Sequence, residues 1–314
     1  MMTMDGRTRH YGEFYGIDDT ADDRPLIVIL GNCQAEALRV VLDAVADRPY
    51  RTMRIPPVHE LTSGDVPHLR RAAGATSTLL TQPIRSGYRE LPIGTDDVVA
   101  QLPAGATVVR WPVLRYAGLY PFQAIVRHPS DPSADPAVVP YHDLRTVSAW
   151  SHGRGADEPW DVELTADTIR RIGDASVAEL ARREARDTDV AVSDRLASFG
   201  ADAAHTINHP GNGVLLLLAM RILAAMDVSA VEPTIDRVLL RSVMAPLEAR
   251  VLRALGSDAP TRPMWRVGED DVSADEVHRS QMAWYDEHPV FVTAAVERHR
   301  ETMELLGLTV GDRV

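Results

Sequence analysis

The chain contains no lysine and only one cysteine among its 314 residues. A single cysteine excludes an intramolecular disulfide and a thiolate-rich zinc site. Because lysine is missing, any phosphate or carboxylate ligand must be held by arginine, histidine or backbone donors. The formal net charge of −12 disfavours nonspecific binding to nucleic acid or to anionic membranes.

Long hydrophobic runs are also lacking. The most apolar stretch, residues 214–226, contains Arg221 and is too short for a membrane-spanning helix. Residues 1–24 are polar and acidic and have no apolar signal-peptide core. The sequence therefore predicts a soluble, cytoplasmic protein without membrane insertion. The scattered histidines show no ligand spacing, so no metal is predicted.

One stretch combines an apolar run with the lone cysteine. Residues 26–30 are five apolar residues that end at Gly31, and a helical pattern covers 34–46. This pattern predicts a buried strand followed by an amphipathic helix, with Cys33 at the joint. The positive end of a helix favours thiolate, the form that attacks carbonyls and thioesters. The alternative is a small buried residue that fills the corner.

The same alternation continues along the first third of the chain. Strands are predicted at 26–30, 51–55, 77–81 and 106–111, with helices at 34–46, 66–73 and 95–102 between them. This order predicts an α/β fold with a doubly wound, mostly parallel sheet, which binds ligands at the carboxyl ends of its strands. Cys33, Gln82, Arg85 and Trp111 fall at or just past such ends.

The rest of the chain is predicted to be mainly helical. A proline-rich ordered loop is expected over 121–140, and helices are expected at 165–187, 214–226, 234–255 and 273–306. The domains predicted from these patterns are an N-terminal arm (1–24), an α/β catalytic core (25–227) and a helical C-terminal extension packed on the core (228–314). The apolar C-terminal helices make a homodimer conceivable.

Four short motifs carry a family resemblance. They are Gly31-Asn32-Cys33-Gln34-Ala35 after the first strand, Gln82-Pro83-Ile84-Arg85, Tyr141-His142-Asp143 and Asn208-His209-Pro210. With them, residues 26 to about 220 resemble the WcbI-like polysaccharide biosynthesis acetyltransferases. The resemblance implies an SGNH- or flavodoxin-like fold, binding of coenzyme A or acetyl-CoA, and acylation of a sugar or glycan hydroxyl.

The resemblance also implies roles for single residues. Cys33 takes the place of a nucleophile that is normally serine, and His209 takes the place of a late histidine that acts as general base. The sequence departs from the hydrolase pattern, because Thr206 stands where an orienting aspartate would precede that histidine. His142, which is followed by Asp143, is a second candidate for the base.

Other residues complete the predicted site. Backbone N–H groups after Cys33, with the side chains of Asn32 and Gln82, are candidate oxyanion donors. Asn208 is predicted either to orient a histidine or to cap a helix. The arginine fork suits the phosphates of coenzyme A. The predicted cofactor-binding residues are Gly31, Gln34, Arg85, Arg110, Arg127 and Asn208.

Two further functions are compatible with the same residues. An esterase or thioesterase would use the same thiol and base with water as the acceptor. A non-catalytic module that binds CoA or a glycan is suggested by the lack of an evident triad acid.

Overall fold

The computed structural model describes residues 6–18, 21–131 and 133–314. Positions 1–5, 19 and 20 of the predicted arm, and position 132 of the predicted loop, lie outside the described residues. The strands are β1 (Leu26–Leu30), β2 (Arg51–Met53), β3 (Thr78–Thr81), β4 (Thr107–Arg110), β5 (Gln123–Ala124), β6 (His142–Asp143), β7 (Ala204–Thr206), β8 (His209–Pro210), β9 (Val243–Met244), β10 (Trp265–Val267) and β11 (Asp270–Val272). The helices are α1 (Gly6–His10), α2 (Gly12–Tyr15), α3 (Cys33–Asp43), α4 (Val66–Gly74), α5 (Thr95–Val99), α6 (Leu144–Ser151), α7 (Ala166–Asp187), α8 (Ser193–Leu196), α9 (Asn212–Ala225), α10 (Ala249–Ala254), α11 (Ala274–Glu287) and α12 (Pro289–Leu305).

The chain forms two compact units, each built from three segments. The first unit contains the chain up to Leu114, Glu179–Leu196 and Gly211–Leu240. The second unit contains Arg115–Ala178, Ala197–Pro210 and Arg241–Val314. Helix α7 contributes residues to both. The domain boundaries expected near 25 and 228 stay a prediction.

The first unit is organised around a parallel sheet with the strand order β2-β1-β3-β4. Helix α3 leads from β1 to β2, and α4 and α5 lead to β3 and β4. The chain first adds a strand on one side of β1 and then returns to add β3 on the other side. The order thus reverses between β1 and β3, where sheets of this kind bind ligands. These features confirm the predicted doubly wound α/β fold.

Strand β1 is buried on both faces, as its unbroken apolar run predicts. Leu26, Val28 and Leu30 share one core with Phe14 and Leu69. The intervening residues of the strand point to the opposite face, since side chains alternate along a strand. Helix α3 contacts β1 and packs against α9, the apolar helix predicted at 214–226.

The second unit combines helices with short antiparallel strands. Its sheets are β11-β10-β9, β5-β6 and β7-β8. Helices α6, α11 and α12 pack on one another around a core that includes Val147, Tyr285, Phe291 and Val296. Helices α10, α11 and α12 make up the predicted helical C-terminal part. No helix in the described part of the chain is long and apolar enough to cross a membrane.

The predicted helix at 234–255 is wrong over most of its length. Only α10 is helical there, and β9 lies upstream of it. Pro246 has no backbone N–H and disfavours helical geometry in the residue before it. The neighbouring N–H groups bond elsewhere, from Ala245 N to His205 O and from Leu247 N to Arg262 O, both at 2.8 Å.

The predicted helix at 273–306 is two helices. The break is at His288, whose backbone has φ −130° and ψ 55°. Pro289 follows directly and begins α12. A residue before proline avoids the helical region, whereas proline itself is favoured in the first turn of a helix. The sequence already contained this signal.

Candidate active site

The turn after β1 places Cys33 as the first residue of α3. Asn32 caps this helix with extended backbone angles (φ −78°, ψ −161°). Its side-chain Oδ1 accepts a hydrogen bond of 2.9 Å from the Gln34 N–H. This bond fixes the orientation of the amide, so Nδ2 is the remaining donor of the Asn32 side chain, beside Cys33.

Two buried glutamines hold this turn against the end of β3. Gln82 directly follows β3, and its Oε1 accepts a 2.9 Å hydrogen bond from the Asn32 N–H. Its Nε2 donates to Gln34 Oε1 at 3.1 Å. Gln34 also bonds both backbone groups of Leu114, accepting from the N–H at 3.0 Å and donating to the carbonyl at 2.8 Å. These amide hydrogen bonds therefore fix the turn after β1 relative to the end of β3 and to Leu114.

Gly31 is required by close packing. A Cβ atom there would lie 2.7 Å from Gln82 Oε1 and 3.0 Å from the Trp111 ring. Trp111 follows β4 and is fully buried. Neither neighbour can retreat easily, since both are packed in the interior. The glycine of the motif thus lets the turn approach the amide network.

The Cys33 thiol does not have the acidity that its helix position predicts. Burial raises its pKa to about 11, although the backbone N–H groups of Cys33 and Gln34 act in the opposite direction. Desolvation disfavours the charged thiolate more strongly than the helix terminus favours it. The expected bias towards thiolate is therefore wrong for the protein without ligand.

Two of the three predicted phosphate-binding arginines line one cavity of the first unit. Arg85 and Arg110 border an open groove of about 500 Å³ beside Arg186. Asp187 holds Arg186 through two hydrogen bonds of 2.9 and 2.7 Å. Asp96, Asp187 and Asp189 also line the groove, so its formal charges balance. The third arginine, Arg127, is exposed and belongs to the second unit.

His209 lies in the second unit, within a cluster of hydroxyl and amide groups. Its Nε2 is 3.4 Å from the Tyr141 hydroxyl. That hydroxyl donates to Asn208 Oδ1 at 2.8 Å and accepts from Thr206 Oγ1 at 3.0 Å. Gly211, not Asn208, is the N-cap of α9, so the helix-capping alternative for Asn208 is wrong. Sequence reasoning gave Tyr141 no role, although it belongs to one of the quoted motifs.

His142, the second candidate for the base, is a core residue. Its Nδ1 is 2.9 Å from the Tyr285 hydroxyl, and its ring centroid is 4.2 Å from that of Phe291. Burial lowers the pKa of His142 to about 3, so the ring is neutral at physiological pH. These contacts assign His142 a role in packing of the core.

Each unit thus brings together part of the predicted site. Cys33, Asn32, Gly31, Gln34 and Gln82 meet at the switch point of the first unit. His209 and Asn208 meet beside Tyr141 in the second unit. Among the described residues, no group of three or more histidine, cysteine, aspartate or glutamate side chains could hold a metal ion.

The fold and the turn define a doubly wound α/β protein with a cysteine just past the carboxyl end of its first strand. The chain belongs to the WcbI family, since residues 26–231 match the family model described as polysaccharide biosynthesis enzyme WcbI. This match contains every strand of the parallel sheet and the four quoted motifs.

A solved structure of WcbI, described as a novel polysaccharide biosynthesis enzyme, has the same fold. Its TM-score is 0.71 at 16% identity, over 90% of this chain and 98% of the other. That structure is described as the native protein without a disulfide bond between CoA and a cysteine. No protein in the curated set matches the chain.

Proposed function

We propose that this protein is an acyl-CoA-dependent O-acyltransferase, which transfers an acyl group such as acetyl to a hydroxyl of a sugar or glycan. The observation that carries the proposal is the position of Cys33 at the switch point of the sheet, in a family of polysaccharide biosynthesis enzymes. The description of WcbI, which pairs CoA with a cysteine, supports CoA as the ligand of this edge.

In the proposed reaction, an acceptor hydroxyl attacks the thioester carbonyl of acyl-CoA. The hydroxyl proton passes to His209 as general base, an oxygen–carbon bond forms, and the carbon–sulfur bond to CoA breaks. Returning the proton to the departing thiolate gives free CoA. Asn32 Nδ2 and the backbone N–H groups at the start of α3 are proposed to stabilise the oxyanion.

Cys33 is proposed to line the pocket in this reaction. Its raised pKa supports direct transfer, because an attacking sulfur would have to be a thiolate. Gln82 and Gln34 are proposed to keep Asn32 and Cys33 in position through the amide network. Arg85 and Arg110 are proposed to hold phosphates of CoA, and Arg127 is a third candidate.

Intact-protein mass spectrometry after incubation with acetyl-CoA tests the route. The wild type is compared with Cys33→Ala. Direct transfer predicts no acetyl adduct in either protein, with acetylation of an added sugar in both. An adduct that disappears in Cys33→Ala contradicts direct transfer and assigns Cys33 as the nucleophile.

Calorimetry with CoA tests the cofactor. We expect binding by the wild type and a loss of about tenfold or more in Arg85→Ala or Arg110→Ala, since each removes a charge-assisted contact. Arg253→Ala, at an exposed position on α10, should bind CoA as the wild type does. If folded wild-type protein does not bind CoA or acetyl-CoA, the acyltransferase proposal fails.

The same assays separate the two alternatives. A thioesterase would release CoA from acetyl-CoA without any sugar, and this release would depend on Cys33 and His209. A binding module would bind CoA with the rate of thioester loss unchanged from that in buffer.

A further inference from the structure

The second unit contains a cavity that no predicted site residue lines. Its wall is built mainly from the segment before β5, from α6 and α11, and from the segment between β9 and β10. The cavity measures about 130 Å³, roughly ten times the space that one buried water needs. It has room for a ring-sized organic molecule rather than for a single solvent molecule.

Two residues of the wall each carry a buried polar atom that has no hydrogen-bond partner in the described residues. One is Gln123 Nε2, on a side chain that is only 9% exposed. The amide cannot turn away, because its Oε1 accepts a 2.7 Å bond from the Ile207 N–H. The other is Nε2 of His278, which is 1% exposed. Its Nδ1 already faces Thr146 Oγ1 at 2.8 Å.

Such atoms are costly when they are left without a partner, so their presence in two residues that line the same cavity points to a ligand. Gln123 offers a donor. His278 offers a donor or an acceptor, depending on which ring nitrogen carries the proton. Burial lowers the pKa of His278, which keeps the ring neutral. A hydroxyl group serves both atoms, because it donates and accepts.

The charges of the wall favour a neutral ligand. Arg145 is held by Asp143 and Glu248, which are also on the wall, and by Asp161. Arg262, the second arginine of the wall, donates to the Ala245 carbonyl and to the Tyr120 hydroxyl. Both arginines of the wall are thus already engaged by protein groups, and the two carboxylates of the wall would repel a phosphate.

Aromatic rings supply the rest of the wall. Trp160 lies flat on His278, with ring centroids 4.5 Å apart and an interplanar angle of 7°, and Arg145 Cζ lies over the Trp160 ring at 4.7 Å from its centroid. The protein thus covers both faces of Trp160, and Trp265 is the indole of the wall that we assign to the ligand. An apolar ring face beside a few hydrogen-bonding atoms suits a molecule with C–H groups on its faces and hydroxyls on its edge, which describes a pyranose.

Two residues of the cavity wall, Gln123 and Trp265, are linked by contacts to the loop that carries His209. Gln123 bonds the Ile207 N–H, two residues before His209. Trp265, another residue of the wall, stacks on Tyr141 with ring centroids 6.2 Å apart, and Tyr141 contacts His209 Nε2. Both links lie within the second unit.

We propose that this cavity binds one neutral pyranose unit, through Gln123 Nε2, His278 Nε2 and the indole of Trp265. If the proposed acyltransferase function holds, this sugar is the acceptor, and the cavity keeps it beside the loop of the general base. The binding itself does not depend on CoA.

Ligand-observed NMR titration of the full chain tests the proposal, with the methyl α-pyranosides of glucose, galactose and mannose as probes. At least one should bind with a dissociation constant in the millimolar range. Gln123→Glu keeps the acceptor for Ile207 and removes the donor, so binding should weaken about tenfold. Failure of all three glycosides to bind the folded wild type would falsify the proposal.

A matched pair of variants locates the binding site. Ala274→Phe enlarges a side chain of the cavity wall, at the first residue of α11, and should abolish binding by filling the cavity. Ala283→Phe makes the same change at an exposed position of α11 and should leave binding intact. Circular dichroism and a melting curve check the folding of each variant. Equal binding by folded Ala274→Phe and the wild type overturns the assignment of the site.

Two further probes test the chemistry. Cyclohexanemethanol has a similar ring without ring hydroxyls and should bind more weakly than the best glycoside. Glucose 6-phosphate should also bind more weakly than the glucoside, and tighter binding by either probe contradicts a neutral polyhydroxylated ligand. CoA calorimetry on Gln123→Glu separates the proposals: loss of sugar binding alone concerns this cavity, and absence of CoA binding in the wild type concerns the proposed function.

Discussion

Buried glutamines behave differently in the two units. In the first unit, Gln34 and Gln82 bond each other, the Asn32 N–H and both backbone groups of Leu114. In the second unit, Gln123 uses its carbonyl oxygen on Ile207 and leaves its Nε2 without a partner in the described residues. The three side chains are similarly buried, at 0%, 2% and 9% exposure.

This difference in hydrogen bonding distinguishes amides that hold the backbone of a site in place from an amide that can bind a ligand. An amide whose atoms are engaged by the protein fixes backbone position and has little left for a ligand. An amide with an unused buried donor is costly for stability and is useful only when something fills the cavity beside it. The first arrangement shapes the turn around Cys33, and we assign the second to recognition.

The largest effect is expected for Gln34→Glu. The change replaces the donor to the Leu114 carbonyl with an acceptor and introduces a buried charge, so unfolding free energy should fall by about 3 kcal/mol or more. Urea denaturation measures it. Gln101→Glu, at an exposed position, is the control and should shift stability by about 0.5 kcal/mol or less. A small effect at Gln34 would remove the distinction between the two units.

Thiol reactivity comes next. The pKa of Cys33 moves from 9.0 to about 11, so at any pH below 9 the folded protein should contain about a hundredfold less thiolate than the unfolded chain. Alkylation by iodoacetamide, followed by mass spectrometry across pH, measures this directly because the chain has a single cysteine. Protein unfolded in guanidinium is the reference. A midpoint at or below pH 9 in the folded protein contradicts burial as the dominant influence.

Gly31→Ala should destabilise the protein by about 2 kcal/mol through overpacking against Gln82 and Trp111. Gly74→Ala is the matched control, since a Cβ atom at that position meets nothing within 4 Å. Denaturant midpoints of the two variants give the comparison. Equal stability of the two variants would mean that Gln82 and Trp111 can shift to accommodate a methyl group at little cost.

Acid should destabilise the second unit through His142. Its pKa is about 3 in the folded state against 6.5 in the unfolded chain, so the unfolded state binds the proton first. Stability is then full above pH 6.5 and decreases towards pH 3, by about 1.4 kcal/mol per pH unit for this group. His205 and His299, each with a pKa lowered to about 4, act in the same direction.

Comparing variants isolates the contribution of His142 to that slope. His142→Gln should flatten the dependence of unfolding free energy on pH by about one proton's worth, whereas His152→Gln, at an exposed histidine, should not. An unchanged slope in His142→Gln would show that the ring protonates without unfolding.

A smaller change in stability is expected for Gln123→Glu than for Gln34→Glu. Both variants bury a carboxylate, but Gln123→Glu keeps the bond to Ile207 and loses no existing bond of Nε2, so its unfolding free energy should fall by about 1 to 3 kcal/mol less. Thermal denaturation checks this, and the same variant should bind the sugar about tenfold more weakly. A destabilisation equal to that of Gln34→Glu would make Gln123 a structural amide like Gln34.

The parallel sheet was predictable because its signals are local. The apolar run at 26–30, Gly31 and the helical pattern after it lie within about one strand and one helix, and the structure places β1 and α3 there. Helix α7 was also predicted nearly to its ends. Both errors in the helical region contain a proline, Pro246 or Pro289, whose effect on the preceding residue outweighed helical periodicity.

The candidate site was predictable only in part. The turn around Cys33 was predictable because its residues are adjacent in the sequence. The hydrogen-bond partners of Gln34 were not, because Leu114 is 80 residues away and Gln82 is 48 residues away. The raised pKa of Cys33 depends on burial, which a helix position does not reveal. The cavity of the second unit joins Gln123 to His278, and no local pattern connects them.

The chain passes between the two units several times, and this limits which parts of the gene can be exchanged between related proteins. Each unit takes three segments, so one cut in the gene releases neither of them whole. Yet the last segment, Arg241–Val314, carries Trp265 and His278 and lies beyond the residues that match the family model. Exchanging that segment between relatives would transplant one side of the cavity and leave the cysteine turn untouched. Under the two proposals made above, sugar preference and acyl-donor chemistry would then be inherited separately.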